Sequence, residues 1–248
     1  MKVLASYSIK GGVGKTALSV NLAYAFQQSG KRTLLVDLDP QGAAGFYFRV
    51  SPAEKFKAKN DDLSEAQLKS DIRESDYPGL DILPSNLAYR KFDLLLDRMK
   101  KRRSQLRFLF EAFEEDYDRV ILDCPPNITL LSENVFRASD RLLVPLIPTT
   151  LSERTLEQLL EFFTEKELPV EIILPLFSMA QKRNRMHQEN IETLPKRYPA
   201  FLKTVIPFTV EVEKMGLHRK PLLAYANTLP VSAAYWALFE EIEAKMHS

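Results

Sequence analysis

The chain has 248 residues, 45% of them hydrophobic, enough to bury a substantial core within one domain. A formal net charge of +1 singles out no charged partner, and one cysteine with three histidines excludes an internal disulfide, an iron–sulfur centre and a Cys-rich zinc site. No apolar run approaches the ~18 residues that span a bilayer, and the first residues lack the apolar stretch of a signal peptide, so the expectation is a cytoplasmic globular protein with no membrane attachment.

In chain order, "KVLASY" reads as a strand that feeds the glycine loop "YSIKGGVGKT". "TALSVNLAYAFQQSG" follows with helical periodicity, and Gly30 stands where a left-handed residue closes a helix. "TLLVDLD" is a second strand and runs into a second glycine loop, "PQGAAG". Residues 50–78 are polar and charged without a period, and read as a mobile insertion. "LDILPS" is the next strand, "RMKKRRSQLR" (Arg98 to Arg107) a basic run that opens a helix, and "RVILDCPP" and "RLLVPLIP" two further strands. "SERTLEQLLEFFTEK" puts Leu156, Leu159, Leu160 and Phe163 on one helical face, with its glutamates expected to meet solvent or a basic partner. "EIILPLF" and "TVIPF" complete the strands, and "YWALFEEIEAKMHS" is an acidic closing helix. Apolar strands alternating with amphipathic helices predict an α/β fold: a single domain over residues 1–248, with a mostly parallel twisted sheet and helices on both faces.

Of eight glycines, Gly11, Gly12, Gly14, Gly42 and Gly45 lie in the two loops after the first two strands. Ligands of open α/β sheets sit at the carboxyl ends of strands, so both loops are expected to face one crevice. In "GGVGKT", backbone N–H groups converge on a phosphate and the following helix adds its N-terminal dipole. Lys15 is expected on the β/γ-phosphates and the Thr16 hydroxyl on Mg²⁺. The usual P-loop has glycine at position 9, where this chain has Ile9, so the loop is a variant. "LLVDLDPQG" ends in Asp37 and Asp39. This reading sends them to opposite faces of the sheet and so to different jobs: Asp39 orients a water at the γ-phosphate, and Asp37 supports the metal or the strand end. Asp123 closes "RVILDCPP", the usual place for an acid that holds Mg²⁺ through water. For these aspartates, capping the next helix is the alternative.

Together, "KGGVGKT", "DLDPQG" and "ILDCPP" resemble the deviant P-loop ATPases of the ParA/MinD group. The resemblance implies an ATP hydrolase with weak intrinsic activity, stimulated by a partner, using ATP and Mg²⁺. It implies catalytic roles for Lys10, Lys15 and Asp39, with Lys10 crossing an ATP-sandwiched homodimer to the other subunit's phosphates as an arginine finger does. It places nucleotide contacts at Lys10, Gly11, Gly12, Val13, Gly14, Lys15, Thr16 and Ala17, metal contacts at Thr16, Asp39 and Asp123, and the adenine beside Pro207 and "FTVEVEKMG". Ala17 stands where many relatives have a threonine on the α-phosphate, so one hydrogen bond is missing. "DPQG" and Ile9 are similar to the ParA/Soj branch, and the acidic last helix lacks the basic amphipathic character of a MinD membrane tail. Because the chain begins at its first strand, it is similar to the short form without an operator-binding domain.

Dimers of this group grip DNA without sequence preference. Between Lys182 and Lys220, nine Lys/Arg stand against four glutamates. Lys182, Arg183, Arg185, Arg219 and Lys220 are therefore assigned to DNA, with Arg98–Arg103 as a second cluster and a solvated surface as the alternative. The implied activity is nucleoid-associated positioning or partitioning of DNA or another intracellular cargo, with a ParB-like or other cargo adaptor as partner. A P-loop metabolic ATP-dependent synthetase and a non-hydrolysing ATP-binding scaffold are the alternatives.

Overall fold

Strands β1 (Lys2–Ser6), β2 (Thr33–Asp37), β3 (Arg73–Glu74), β4 (Leu80–Leu83), β5 (Arg119–Asp123), β6 (Arg141–Leu146), β7 (Ile173–Ala180) and β8 (Val205–Pro207) form one sheet in the order β3-β4-β2-β5-β1-β6-β7-β8. The computed structural model that gives this architecture describes residues 1–51, 65–85, 96 and 104–247. Each apolar run of the sequence becomes a strand, and all neighbours pair in parallel except β3 with β4. The helices are α1 (Lys15–Gln28), α2 (Ala43–Tyr47), α3 (Glu65–Asp71), α4 (Gln105–Glu111), α5 (Leu130–Ala138), α6 (Thr150–Glu165), α7 (Arg185–Arg197), α8 (Val210–Glu213), α9 (Met215–His218), α10 (Leu222–Tyr225) and α11 (Pro230–His247).

The strands are apolar on both sides because both sides are covered. Val3 and Ala5 of β1, Leu34 and Val36 of β2, and Val120 and Leu122 of β5 enter one core, while Leu4, Leu35 and Ile121 enter the other. Helices α3 to α6 close the first core through Leu68, Phe110, Phe136, Leu156 and Phe163. Helices α1, α10 and α11 close the second through Leu18, Phe26, Leu222, Leu238 and Ile242. Each such side chain contributes about 1.5–3 kcal/mol on burial, so the two helical layers are what make polar-free strands stable in water. On α6, Leu156, Leu159 and Phe163 are buried and Leu160 sits half-buried at the rim. Gly30 adopts φ +85° just past α1, as its position after the last helical turn requires.

The polar insertion is ordered in part, which corrects the expectation of a mobile stretch. Residues 52–64 lie outside the described residues, but α3 and the antiparallel edge strand β3 follow them. A single buried contact, Leu68 at 2% exposure, docks α3 on the core, and an exposed Glu65–Lys69 ion pair (3.1 Å) runs along its surface. One apolar residue in a charged segment is too little periodicity to read from sequence. With β1 between β5 and β6, the loops after β1, β2 and β5 all open at the carboxyl edge of the sheet.

Candidate nucleotide site

The loop between β1 and α1 turns on two left-handed glycines, Gly12 (φ +71°) and Gly14 (φ +90°). A Cβ at Gly14 would stand 3.1 Å from Ser178 Oγ, so conformation and closeness both demand glycine there. Gly14 also precedes the first turn of α1, whose unpaired N–H groups open into the loop. Lys15 is buried, and its Nζ donates only to the Lys10 carbonyl, at 3.4 Å. Burial lowers its pKa, while the charges of Asp123, Cys124 and Asp39 act the other way. A buried ammonium holding one long hydrogen bond has donors to spare for an anion. Lys10 differs: its amide is tied to Ser8 Oγ (3.3 Å), but its half-buried side chain makes no hydrogen bond or ion pair among the described residues.

Asp37 and Asp123 are register partners on β2 and β5, both fully buried. Strand alternation groups them with Leu35 and Ile121, on the α1 side of the sheet. The same alternation corrects the expectation that Asp37 and Asp39 point to opposite faces, because residues two apart in a strand share a face. Their roles separate for another reason: β2 ends at Asp37, and Asp39 lies in the turn beyond it. Asp37 Oδ2 accepts the N–H groups of Ala44 (3.0 Å) and Gly45 (3.2 Å), and its Oδ1 accepts that of Asp39 (3.2 Å). It caps α2 and closes the strand end. Asp39 is half-buried; its Oδ1 accepts the Gln41 N–H (3.0 Å), and its other oxygen has no partner among the described residues.

Burial holds the Asp37 and Asp123 carboxyls above the usual carboxylate range; at Asp123 the Thr16 and Ser19 hydroxyls and Lys15 pull the other way. Ser19 Oγ lies 3.1 Å from Asp123 Oδ1 and 3.1 Å from the Lys15 carbonyl. Asp123 Oδ2 is buried and accepts no hydrogen bond. An orphaned carboxylate oxygen near a helix-start threonine suits a hard divalent cation. Among the described residues no three His, Cys, Asp or Glu side chains cluster as a metal cage, so a cation here takes its remaining ligands from phosphate and water. Ser19 is a site residue absent from the sequence reading. Its signal was available, since it stands one helical turn after Lys15.

A cleft of about 170 Å³ opens beside the loop, with Gly12, Gly14 and Ala17 on its near side. Its far side is Ile206, Pro207, Phe208, Thr209, Val212 and Glu213, the segment expected beside the base, and Ser178, Met179 and Tyr235 complete it. The pairing of β7 with β8 shifts register between Phe177 and Ala180, and Met179 within that shift has φ +55°. A non-glycine residue in this conformation is strained, a feature that concentrates at functional sites. Asn21, fully buried on α1, ties the two sides together. Its Nδ2 donates to the Ala17 carbonyl (2.8 Å) and to Met215 Sδ (3.4 Å), and its Oδ1 accepts the Leu223 N–H (3.2 Å). Ser178, Met179, Asn21 and Tyr235 carried no local signal, because only folding brings them together.

The basic residues fall into two groups. Lys182 and Arg183 are exposed in the turn after β7, and Arg185, equally exposed, opens α7 and pairs with Glu189 at 2.9 Å. Asn184 caps that helix by accepting the His187 N–H (3.4 Å), and His187 Nδ1 accepts the Gln181 N–H (3.1 Å). Arg219 is placed elsewhere: with φ +49°, it donates to the Phe46 carbonyl (3.2 Å) and stacks 4.7 Å over the Phe46 ring of α2, with Lys220 beside it. The Arg98–Arg103 cluster lies outside the described residues. Among the described residues no helix is long and apolar enough to cross a membrane.

A family model described as an AAA domain matches residues 1–171. The sporulation initiation inhibitor protein Soj of Bacillus subtilis strain 168 is 31% identical, over 98% of this chain and 98% of its own. The chromosome partitioning protein ParA of Caulobacter vibrioides is 29% identical, over 98% of this chain and 94% of its own. Among solved structures, cobyrinic acid a,c-diamide synthase of Mycobacterium smegmatis with a bound ATP analog and magnesium superposes with a TM-score of 0.76 at 25% identity, covering 100% of this chain and 96% of its own.

Proposed function

This chain belongs to the AAA domain family and is a P-loop ATPase of the ParA/MinD type, and on that premise we propose that it is an ATP-switched positioning protein. In this reading ATP joins two copies, the dimer binds DNA without sequence preference, and a cargo adaptor stimulates hydrolysis and release. Lys15 and the N–H groups of residues 11–16 hold the phosphates, and the cleft beside Pro207 takes the base. Thr16 and Asp123 hold Mg²⁺, which when bound neutralises phosphate charge. Asp39, with one carboxylate oxygen outside the "DPQG" turn, orients the attacking water. Hydrolysis is slow until the adaptor engages.

Lys10 is the observation that carries the reading. Its loop already has a buried lysine, and its own ammonium has no partner among the described residues. Two cations on one empty loop repel each other, whereas ATP between two subunits gives the second cation a counter-charge. A cation supplied in trans to a transferring phosphoryl group is worth orders of magnitude in rate. Lys182, Arg183 and Arg185, shown twice by a dimer, supply the DNA contacts, and the partitioning role of the Caulobacter relative supports DNA as cargo or track. The ATP-analog complex of the diamide synthase supports a second reading, an ATP-dependent synthetase on the same scaffold.

ATP turnover with Mg²⁺, measured alone, with duplex DNA and with small carboxylic acids, separates the two. Stimulation by DNA is expected; turnover that depends on a carboxylic acid would install the synthetase instead. Reversing Arg183 and Arg185 to glutamate is expected to weaken DNA binding and to reduce its salt slope by about two, one for each lost phosphate contact. ATP-dependent dimerisation should not change. Normal DNA binding by that variant, with binding lost on reversal of Arg98–Arg103, would move the DNA surface to the other cluster.

A further inference from the structure

The phosphate end of the cleft is furnished with charge, but its far end is not. Around Tyr235 the walls are Met179, Ile206, Pro207 and Val212, with no cation among the lining residues. A site of this kind rejects a phosphate and accepts a flat, largely apolar body with a hydrogen-bonding edge. Tyr235 itself is 2% exposed and lines this end. Its hydroxyl has no hydrogen-bond partner among the described residues, whereas nearby Tyr225 donates to the Glu211 carbonyl at 2.8 Å. Burial pushes the Tyr235 pKa up, so the group stays a neutral O–H able to donate and accept. Leaving a buried hydroxyl unmatched opposes folding, so a phenylalanine of the same shape would serve the core better. The strained Met179 backbone in the same wall is a second sign that this end is shaped for something other than packing.

We propose that Tyr235 is a specificity-determining contact for the nucleoside half of the nucleotide, its hydroxyl completing its hydrogen bonding only when the base and ribose enter the cleft. The inference rests on the ATP-binding reading above and adds a residue to that site. Asn21 serves the same contact indirectly, by holding Ala17 and the Met215–Leu223 segment in register across the cleft.

Titration calorimetry of wild type and Tyr235→Phe with ATP, ADP and inorganic tripolyphosphate tests this, together with the melting temperatures of the ligand-free proteins. The variant is expected to bind ATP and ADP about five- to thirtyfold more weakly, the worth of one buried hydrogen bond. Tripolyphosphate, which has no nucleoside, should bind both proteins alike, and ligand-free Tyr235→Phe should melt no lower than wild type. Unchanged ATP affinity in the variant overturns the proposal. So does a weakening that extends equally to tripolyphosphate, or a lowered melting temperature without ligand, since both mark a packing role. A wild-type protein that binds no nucleotide at all fails the ATP-binding reading itself, a result distinct from the other three.

Discussion

At the phosphate end of the cleft, Ser6 through Ser19 come from one strand–loop–helix unit, completed by Asp123 from the adjacent strand. At the base end, Ala17, the Ser178–Met179 bulge, residues 206–213 and Tyr235 come from segments that are remote in the chain. The first end works through backbone conformation and concentrated charge, with a buried ammonium, two left-handed glycines and an orphaned carboxylate oxygen in a small volume. The second works through shape, spread over many small contacts. A change at the phosphate end should therefore have a large effect, and one at the base end a graded one.

The strongest test of that contrast is Lys15→Ala, which removes the buried cation. Calorimetry is expected to show ATP affinity lower by about 100-fold or more, the cost of stripping one partner from a buried charge pair. A loss under about tenfold would break the contrast at its strong end. Next comes the pair of aspartates. Asp39→Ala should cut turnover by about 100-fold or more while ATP affinity changes little, the usual scale for a residue that positions a reacting water or proton. Asp37→Ala should instead lower stability by about 2 kcal/mol, because the N–H groups of Asp39, Ala44 and Gly45 lose their acceptor. Denaturant melts and single-turnover assays of both variants check the division, and equal losses of turnover without destabilisation would erase it.

Lys10→Ala sharpens the comparison within the phosphate loop itself. A monomer of this variant should bind ATP no more than about tenfold more weakly than wild type, but fail to dimerise. Size-exclusion chromatography in an Asp39→Ala background, with and without ATP, shows the difference. At the base end, Phe208→Ala trims one partly exposed wall and is expected to weaken ATP by only a fewfold, about 1 kcal/mol of apolar contact. A collapse of affinity there would show that the base end is as concentrated as the phosphate end.

The smallest expected effect lies just beyond the base end, in the basic turn. Burial lowers the His187 pKa below its ordinary value of 6.5, and its neutral Nδ1 accepts the Gln181 N–H. A depressed folded pKa means the contribution is present above 6.5 and is lost as the pH falls through the folded value. One hydrogen bond of about 1 kcal/mol is at stake. Thermal melts between about pH 7 and about pH 5 should show a smaller decline for His187→Gln, which does not titrate, than for wild type. Parallel declines would remove His187 from the account of this turn.

The same local-versus-dispersed division governs what could be read without coordinates. The strands, the twofold-covered parallel sheet, the phosphate loop and Asp123 were all legible, because apolar runs and a Gly-rich strand-to-helix turn are short-range patterns. The roles of Asp37 and Asp39 were separated correctly but for a mistaken geometric reason. Where β2 ends is set by the α2 cap, which the two-residue spacing alone does not reveal. Helix α3 was missed because one buried leucine in a charged segment makes no period, and β3 because two residues carry no alternation.

The amino-acid order by itself determined that a variant P-loop with two lysines follows the first strand and that acids close the second and fifth, because conformation there depends on neighbours a few positions apart. Only the tertiary structure decided which cation is spent on its own loop, that Ser178 abuts Gly14, that Asn21 spans the cleft, that Arg219 serves α2 apart from the Lys182–Arg185 turn, and that Tyr235 is buried with its hydroxyl unpaired. Those facts depend on packing between segments far apart in sequence, where burial and distance, rather than residue type, set what each group can do.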